Sequence, residues 1–169
     1  MIHVCSLAKV EETVAKTGAD RMLSLLAAGT EVVRPASISR ENHLHLVMHD
    51  IAMTQDGMTM PGEDHVRNLL DFVRRWDRAK PMVVHCYAGI SRSTASAYII
   101  AAALAPKRDE VELAQTLRAL SPSATPNPRL IAVADALLDR NGRMVEAIQA
   151  IGRGADAFEG TPFALKIDV

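Results

Sequence analysis

PMVVHCYAGISRSTASAY, residues Pro81 to Tyr98, decides how the rest of the chain is read. Its first part, Pro81–Val84, is short and apolar and predicts a buried strand; its last part continues into Ser93–Leu104, an uncharged Ala- and Ile-rich run that predicts a helix buried on most sides. What lies between, His85 to Ser93, has room only for a tight strand-to-helix turn. Such a turn aims successive backbone N–H groups into one concavity at the positive end of a helix dipole, a geometry that binds a dianionic phosphate. Gly89 permits the backbone angles of a closed loop. Arg92, separated from Cys86 by five residues, adds a planar fork of donors matched to two phosphate oxygens. The candidate phosphate-binding set is therefore Tyr87, Ala88, Gly89, Ile90, Ser91 and Arg92, with the Tyr87 ring pointing outward while its N–H joins the cradle.

The same surroundings act on Cys86. Amide N–H groups, a helix N-terminus and an arginine favour a thiolate over a thiol, and the thiolate is the nucleophile. Ser91 or Ser93 can hydrogen-bond the sulfur and stabilise it as a leaving group; Ser93, directly after the arginine, is preferred. His85 is expected to orient the loop through backbone carbonyls rather than to transfer protons.

Cys-x5-Arg preceded by His and followed by Ser resembles the signature of the protein tyrosine phosphatase superfamily, and AGISRST resembles its dual-specificity-type members, small bacterial ones included. The resemblance covers Pro81 to Tyr98 strongly and His43 to Trp76 more weakly. It implies that Cys86 attacks phosphorus to form a phosphocysteine and that Arg92 holds the phosphoryl oxygens. It further implies that an aspartic acid from a separate loop protonates the leaving oxygen and later activates water, with no metal or other cofactor. The substrate class would be a phosphorylated protein, on tyrosine or with dual specificity, or a small phosphate ester. A catalytically silent phosphate-binding module of the same fold is the alternative.

The acid is expected about thirty residues before the cysteine, at the end of a strand. Asp50 ends the alternating stretch HLHLVMHDI, at an offset of 86 − 50 = 36, whereas Asp56 has the offset 86 − 56 = 30 but lies mid-loop in TQDG. An expanded loop, Ala52–Gly62, accounts for the longer offset, and Asp50 is preferred. Neither residue belongs to a Trp-Pro-Asp tripeptide.

The chain has 169 residues, fitting one domain over residues 1–169, and a formal net charge of −1 that advertises neither nucleic acid nor an anionic membrane. Two cysteines make no disulfide framework, and no apolar run approaches the roughly 18 residues of a membrane span. These features, with no signal-peptide pattern at the N-terminus, lead to an expectation of a reducing, cytoplasmic setting; they do not address the oligomeric state.

Outward from the loop, Ile2–Leu7 reads as a strand and Val10–Leu26 has helical spacing, interrupted by Gly18, after which either a break or a second helix beginning near Asp20 is expected. Glu31–Val33 reads as a short strand and His43–Ile51 as a strand entering a loop. Glu63–Trp76 has the spacing of an amphipathic helix. Asp109 is a candidate N-cap for a helix over Glu110–Leu120. Ser121–Pro128 is a connector, Arg129–Arg140 and Gly142–Ile151 are helices, and residues 151–169 read as an irregular tail. Strands and helices alternate early and helices dominate late. The expected fold is α/β: a central, mostly parallel sheet flanked by helices, phosphotyrosine-phosphatase-like, with a helical C-terminal half. His43, His45 and His49 would share one strand face and, with Asp50, suggest a metal site, but hydrogen-bonded histidines are the preferred reading. Cys5 is read as a core residue, with a resolving thiol for Cys86 as its alternative.

Overall fold

A computed structural model describes residues 1–32 and 34–168. The chain runs β1 (Ile2–Cys5), α1 (Val10–Thr17), β2 (Arg21–Leu26), β3 (His43–Val47), α2 (Glu63–Arg74), β4 (Met82–His85), α3 (Arg92–Leu104), α4 (Glu110–Leu120), α5 (Pro128–Leu137), α6 (Arg143–Ile151) and β5 (Phe163–Leu165). The sheet order is β3-β2-β4-β1-β5; the first four are mutually parallel and β5 is antiparallel to β1. The expected fold class and helical second half are what the structure shows.

Three expectations are corrected by the structure. The helical spacing beginning at Val10 stops at Thr17, where Gly18, at φ 68°, closes the helix by donating its N–H to the Val14 carbonyl. Of the two alternatives after Gly18 the break holds, and the stretch from Arg21 is strand β2 rather than a second helix. Met22 to Leu26 are all buried, because a central parallel strand is covered on both faces and loses the alternation that marks half-exposed strands. The C-terminal tail is also less irregular than expected: Phe163–Leu165 pairs with β1 as an edge strand. Of the strand expected over Glu31–Val33, Glu31 and Val32 lie in no strand and Val33 lies outside the described residues.

Burial explains the placement of the elements. Val10 and Val14 of α1 pack with Cys5, Met22, Ile38 and Val83 on one face of the sheet. The other face carries the larger core, in which Leu23, Leu25 and Val84 meet α2, α3 and the C-terminal helices. Helix α3 lies between sheet and helices and is buried from Arg92 through Ala102. Polar groups anchor the helix ends: Asp109 accepts the Glu112 N–H at 2.9 Å, as expected, and Asn127 accepts from Arg129 and Leu130 at the start of α5. β4 enters the sheet between β1 and β2, so the segment following it emerges at the carboxyl edge of the parallel strands, where open α/β sheets bind ligands.

Candidate active site

The turn from β4 into α3 is held open by hydrogen bonds to the outside of its carbonyls. Cys86 O lies 3.1 Å from His85 Nδ1; Tyr87 O accepts from the Leu7 N–H at 3.0 Å and Ala88 O from the Gly160 N–H at 2.8 Å. Ile90 O accepts from the Thr125 N–H at 2.9 Å and Thr94 Oγ1 at 2.6 Å, and Ser91 O from the Asn127 N–H at 3.2 Å. In a trans peptide the N–H points opposite to the preceding carbonyl. Tethering these carbonyls outward therefore turns the amides of Tyr87, Ala88, Gly89, Ser91 and Arg92 toward the concave side. Gly89 shows this directly, donating its N–H to Cys86 Sγ at 3.3 Å.

Two glycines permit that closure. Gly89 has φ 73°, and a Cβ there would stand 2.8 Å from the Cys5 carbonyl carbon and 2.9 Å from Ser6 N. On its other side Gly160 passes so close that its own Cβ would lie 2.6 Å from Gly89 O. The loop is thus clamped between the end of β1 and the C-terminal tail.

Cys86 and Ser93 meet beneath the concavity: the thiol donates to Ser93 Oγ at 3.2 Å, and in a thiolate the hydroxyl would donate back. Both residues are buried. Arg92, also buried, donates through Nη1 to the Met48 carbonyl at 2.9 Å, which pins the guanidinium to the end of β3. Its Nε has no hydrogen-bond partner, and among the described residues it is the single buried side-chain nitrogen or oxygen of which this is true. A buried charged donor left unpaired is costly, so the site calls for an acceptor there. The ring of Tyr87 is exposed, as expected.

Asp50 reaches the loop from the opposite side. Its Oδ1 accepts from Ser91 Oγ at 2.7 Å and from Asn127 Nδ2 at 2.8 Å. Ser91 therefore bonds Asp50, while Ser93 contacts the sulfur. The extra residues before α2 form an excursion closed at its base: the His49 N–H donates to Thr59 O at 2.8 Å, and the Thr59 N–H donates to His49 Nδ1 at 2.9 Å. Asp50 stays next to the loop at that base. Asp56 is exposed on the excursion, and among the described residues no side-chain hydrogen bond joins it to the loop. Beside Asp50 a groove of about 450 Å³ is lined by Ile90, Ser91, Thr125 and the tail from Arg153 to Phe158.

His85 is fully buried, and burial lowers its pKa from 6.5 to about 4, with His43, His45 and Arg92 adding to the effect. The ring is thus neutral in the fold but protonates near pH 6.5 when unfolded. Between those values the unfolded chain holds the extra proton, so stability is full above pH 6.5 and falls as pH drops toward 4. The gap corresponds to about 3 kcal/mol. Melting temperature across pH 4 to 7 is expected to show this slope, and His85→Asn is expected to reduce it but not abolish it, because burial also holds His43 at about 4.

Cys5 lies on the α1 face while Cys86 belongs to the core on the other face. Burial pushes the Cys5 thiol up to about 11, and both cysteines are free. The three histidines on the β3 stretch are used separately: His43 is 2.9 Å from Ser24 Oγ, His45 stacks on His43, and His49 bonds Thr59. Among the described residues no group of three or more His, Cys, Asp or Glu is placed to hold a metal ion.

Sequence reasoning missed Asn127, Thr125, Gly160 and Ser24. Asn127 had a usable signal, since Asn followed by Pro marks a helix start. Thr125 and Gly160 contribute backbone groups from distant segments and carry no local pattern.

The family model for protein-tyrosine phosphatase matches residues 32–123. The chain belongs to that family. No curated protein sequence matches significantly. Solved structures do. That of Cydia pomonella PTP-2 phosphatase is 17% identical, with a TM-score of 0.62 over 80% of this chain and 84% of that one. That of DUSP15 is 16% identical, with a TM-score of 0.64 over 92% and 94%. Human DUSP28 is 17% identical, with a TM-score of 0.61 over 89% and 95%. At these identities the likeness is one of fold, and it is a dual-specificity-phosphatase-like fold. Among the described residues no helix is long and apolar enough to cross a membrane.

Proposed function

We propose that this protein tyrosine phosphatase family member hydrolyses phosphate monoesters through a phosphocysteine at Cys86. The observation that carries the reading is the buried, unpartnered Nε of Arg92, on a guanidinium already pinned by Met48 and borne by the residue that closes the loop of inward-turned amides. A phosphoryl group supplies the acceptor oxygens that this arrangement lacks. Phosphate binds on the amides of Tyr87 to Arg92. Cys86 Sγ then attacks phosphorus; the S–P bond forms, the ester P–O bond breaks, and Asp50 gives its proton to the leaving oxygen. In the second step Asp50 takes a proton from water as it attacks phosphorus, and the sulfur leaves while accepting from Ser93 Oγ. Arg92 bears the charge on the phosphoryl oxygens throughout.

The substrates are proposed to be phosphorylated proteins, on tyrosine or with dual specificity. The proposed setting is a reducing, cytoplasmic one, consistent with two free thiols. A single catalytic domain over residues 1–169 completes the proposal.

Hydrolysis of an aryl phosphate between pH 5 and 8 tests the reading. Absence of turnover in the wild type, with phosphopeptide binding that survives Cys86→Ser, would mark a silent binding module instead. The assignment of the acid is tested on an alkyl phosphate, whose leaving group needs a proton. Asp50→Asn is expected to lower kcat by about 100-fold and flatten the basic limb of the pH profile, and Asp56→Asn to stay within about twofold of wild type. The reverse pattern would move the role to Asp56.

A further inference from the structure

A row of side chains crosses the sheet on the face that carries α1. Strand pairing sets Cys5 beside His85, His85 beside Ser24, and Ser24 beside His45. Ser24 is fully buried in a strand otherwise composed almost wholly of apolar residues. Its Oγ lies 2.6 Å from His85 Nε2 and 2.9 Å from Nε2 of His43, while His85 Nδ1 lies 3.1 Å from Cys86 O.

With neutral rings, one assignment of protons satisfies all three contacts. A backbone carbonyl only accepts, so His85 Nδ1 must carry the proton and Nε2 must be a lone pair. Ser24 therefore donates to His85. Its hydroxyl has one proton, already given, so it accepts from His43, which must be the Nε2–H tautomer. The chain of donation runs His43 to Ser24 to His85 to the Cys86 carbonyl.

We propose that Ser24 and His43 are positioning residues for the nucleophile, fixing the orientation of the His85 ring whose Nδ1–H holds the Cys86 carbonyl outward. The consequence for chemistry rests on reading Cys86 as the nucleophile; the proton assignment does not. Without Ser24, His85 Nε2 would be a buried acceptor without a partner, and the ring would be free to turn toward another donor. The bond to Cys86 O would be lost, the first peptide of the loop would be free to turn, and the amide donors that stabilise a thiolate would lose their aim. The groups facing His85 are His43, His45 and Arg92; those facing His43 are His45, stacked at 6.3 Å, and Arg34. Burial is the largest influence on each ring; at His85 the bond to the Cys86 carbonyl opposes it, these groups add to it, and both rings are held at about 4. The neutral relay is therefore intact across the working range.

The test begins on the wild-type chain, with long-range proton–nitrogen NMR correlation of the imidazoles at pH 7. His85 is expected as the Nδ1–H tautomer and His43 as the Nε2–H tautomer; the opposite tautomer at either ring would overturn the proposal. This readout needs no turnover, so its failure is distinct from failure of the phosphatase reading. In Ser24→Ala, kcat on an aryl phosphate is expected to fall about tenfold with KM within about twofold. Alkylation of Cys86 by iodoacetamide is expected to slow about tenfold at pH 6 and to be unchanged at pH 9. A folded Ser24→Ala with wild-type kcat and wild-type alkylation at both pH values would overturn the role. If that variant does not fold, His43→Leu and His43→Gln carry the test. Leu is expected to lower kcat and Gln, whose amide N–H can replace Nε2–H, to recover most of the loss; equal kcat in the two would overturn it.

Discussion

Replacing Cys86 by Ser is expected to lower turnover of an aryl phosphate by about four orders of magnitude or more, while leaving the phosphate cradle able to bind. The two atoms differ little in size. Yet a hydroxyl is far from ionised at neutral pH, and its oxygen would be a poor leaving group from phosphorus. The donors of the cradle are the loop amides and Arg92, and the loop carbonyls are tethered by Leu7, Gly160, Thr125 and Asn127, none of which touches the sulfur. Phosphopeptide binding by Cys86→Ser, measured by calorimetry, is therefore expected to stay within about tenfold of a catalytically slow parent such as Asp50→Asn. Turnover in Cys86→Ser comparable to the wild type would remove Cys86 from the reaction.

Arg92→Lys is expected to cost about 1,000-fold in kcat/KM despite keeping the positive charge. The guanidinium does two things at once in this account: Nη1 holds the Met48 carbonyl, and the unpartnered Nε is left for a phosphoryl oxygen. A lysine ammonium carries its donors on one nitrogen and cannot span both directions with the same geometry. It can bond Met48 and leave the phosphoryl oxygens unmatched, or do the reverse at the expense of its anchor. The loss should fall mainly on kcat, because the fork is worth most where charge on the phosphoryl oxygens is being redistributed. A wild-type kcat with only KM raised would mean that Arg92 serves binding alone.

The parts of the site that lie close in sequence were legible without a structure. HCYAGISRS, flanked by PMVV and an uncharged Ala-rich run, specifies strand, turn and helix through local chemistry, and Gly89 and Arg92 are interpretable from spacing alone. Asp50 was nearly legible. Its offset of 36 reflects an excursion closed by His49 and Thr59, and no pattern in Ala52–Gly62 announces that the two ends meet. The strand β2 was not legible because burial on both faces erased its alternation, and nothing near Ser24 in the sequence marks it as a partner for His85. The clamp on the loop was beyond reach for a different reason. Thr125 and Gly160 act there through backbone amides, which every residue but proline possesses, so nothing in their side chains marks the task.

The most direct measurement is to trap the intermediate. Asp50→Asn slows the step that releases phosphate; mixed with an aryl phosphate and acid-quenched within the first turnover, it is expected to yield a phosphorylated peptide containing Cys86, with phosphorus bound to sulfur by mass spectrometry. The label should be absent in Cys86→Ser. Turnover accompanied by no phosphocysteine, or by phosphate on another residue, would contradict the account.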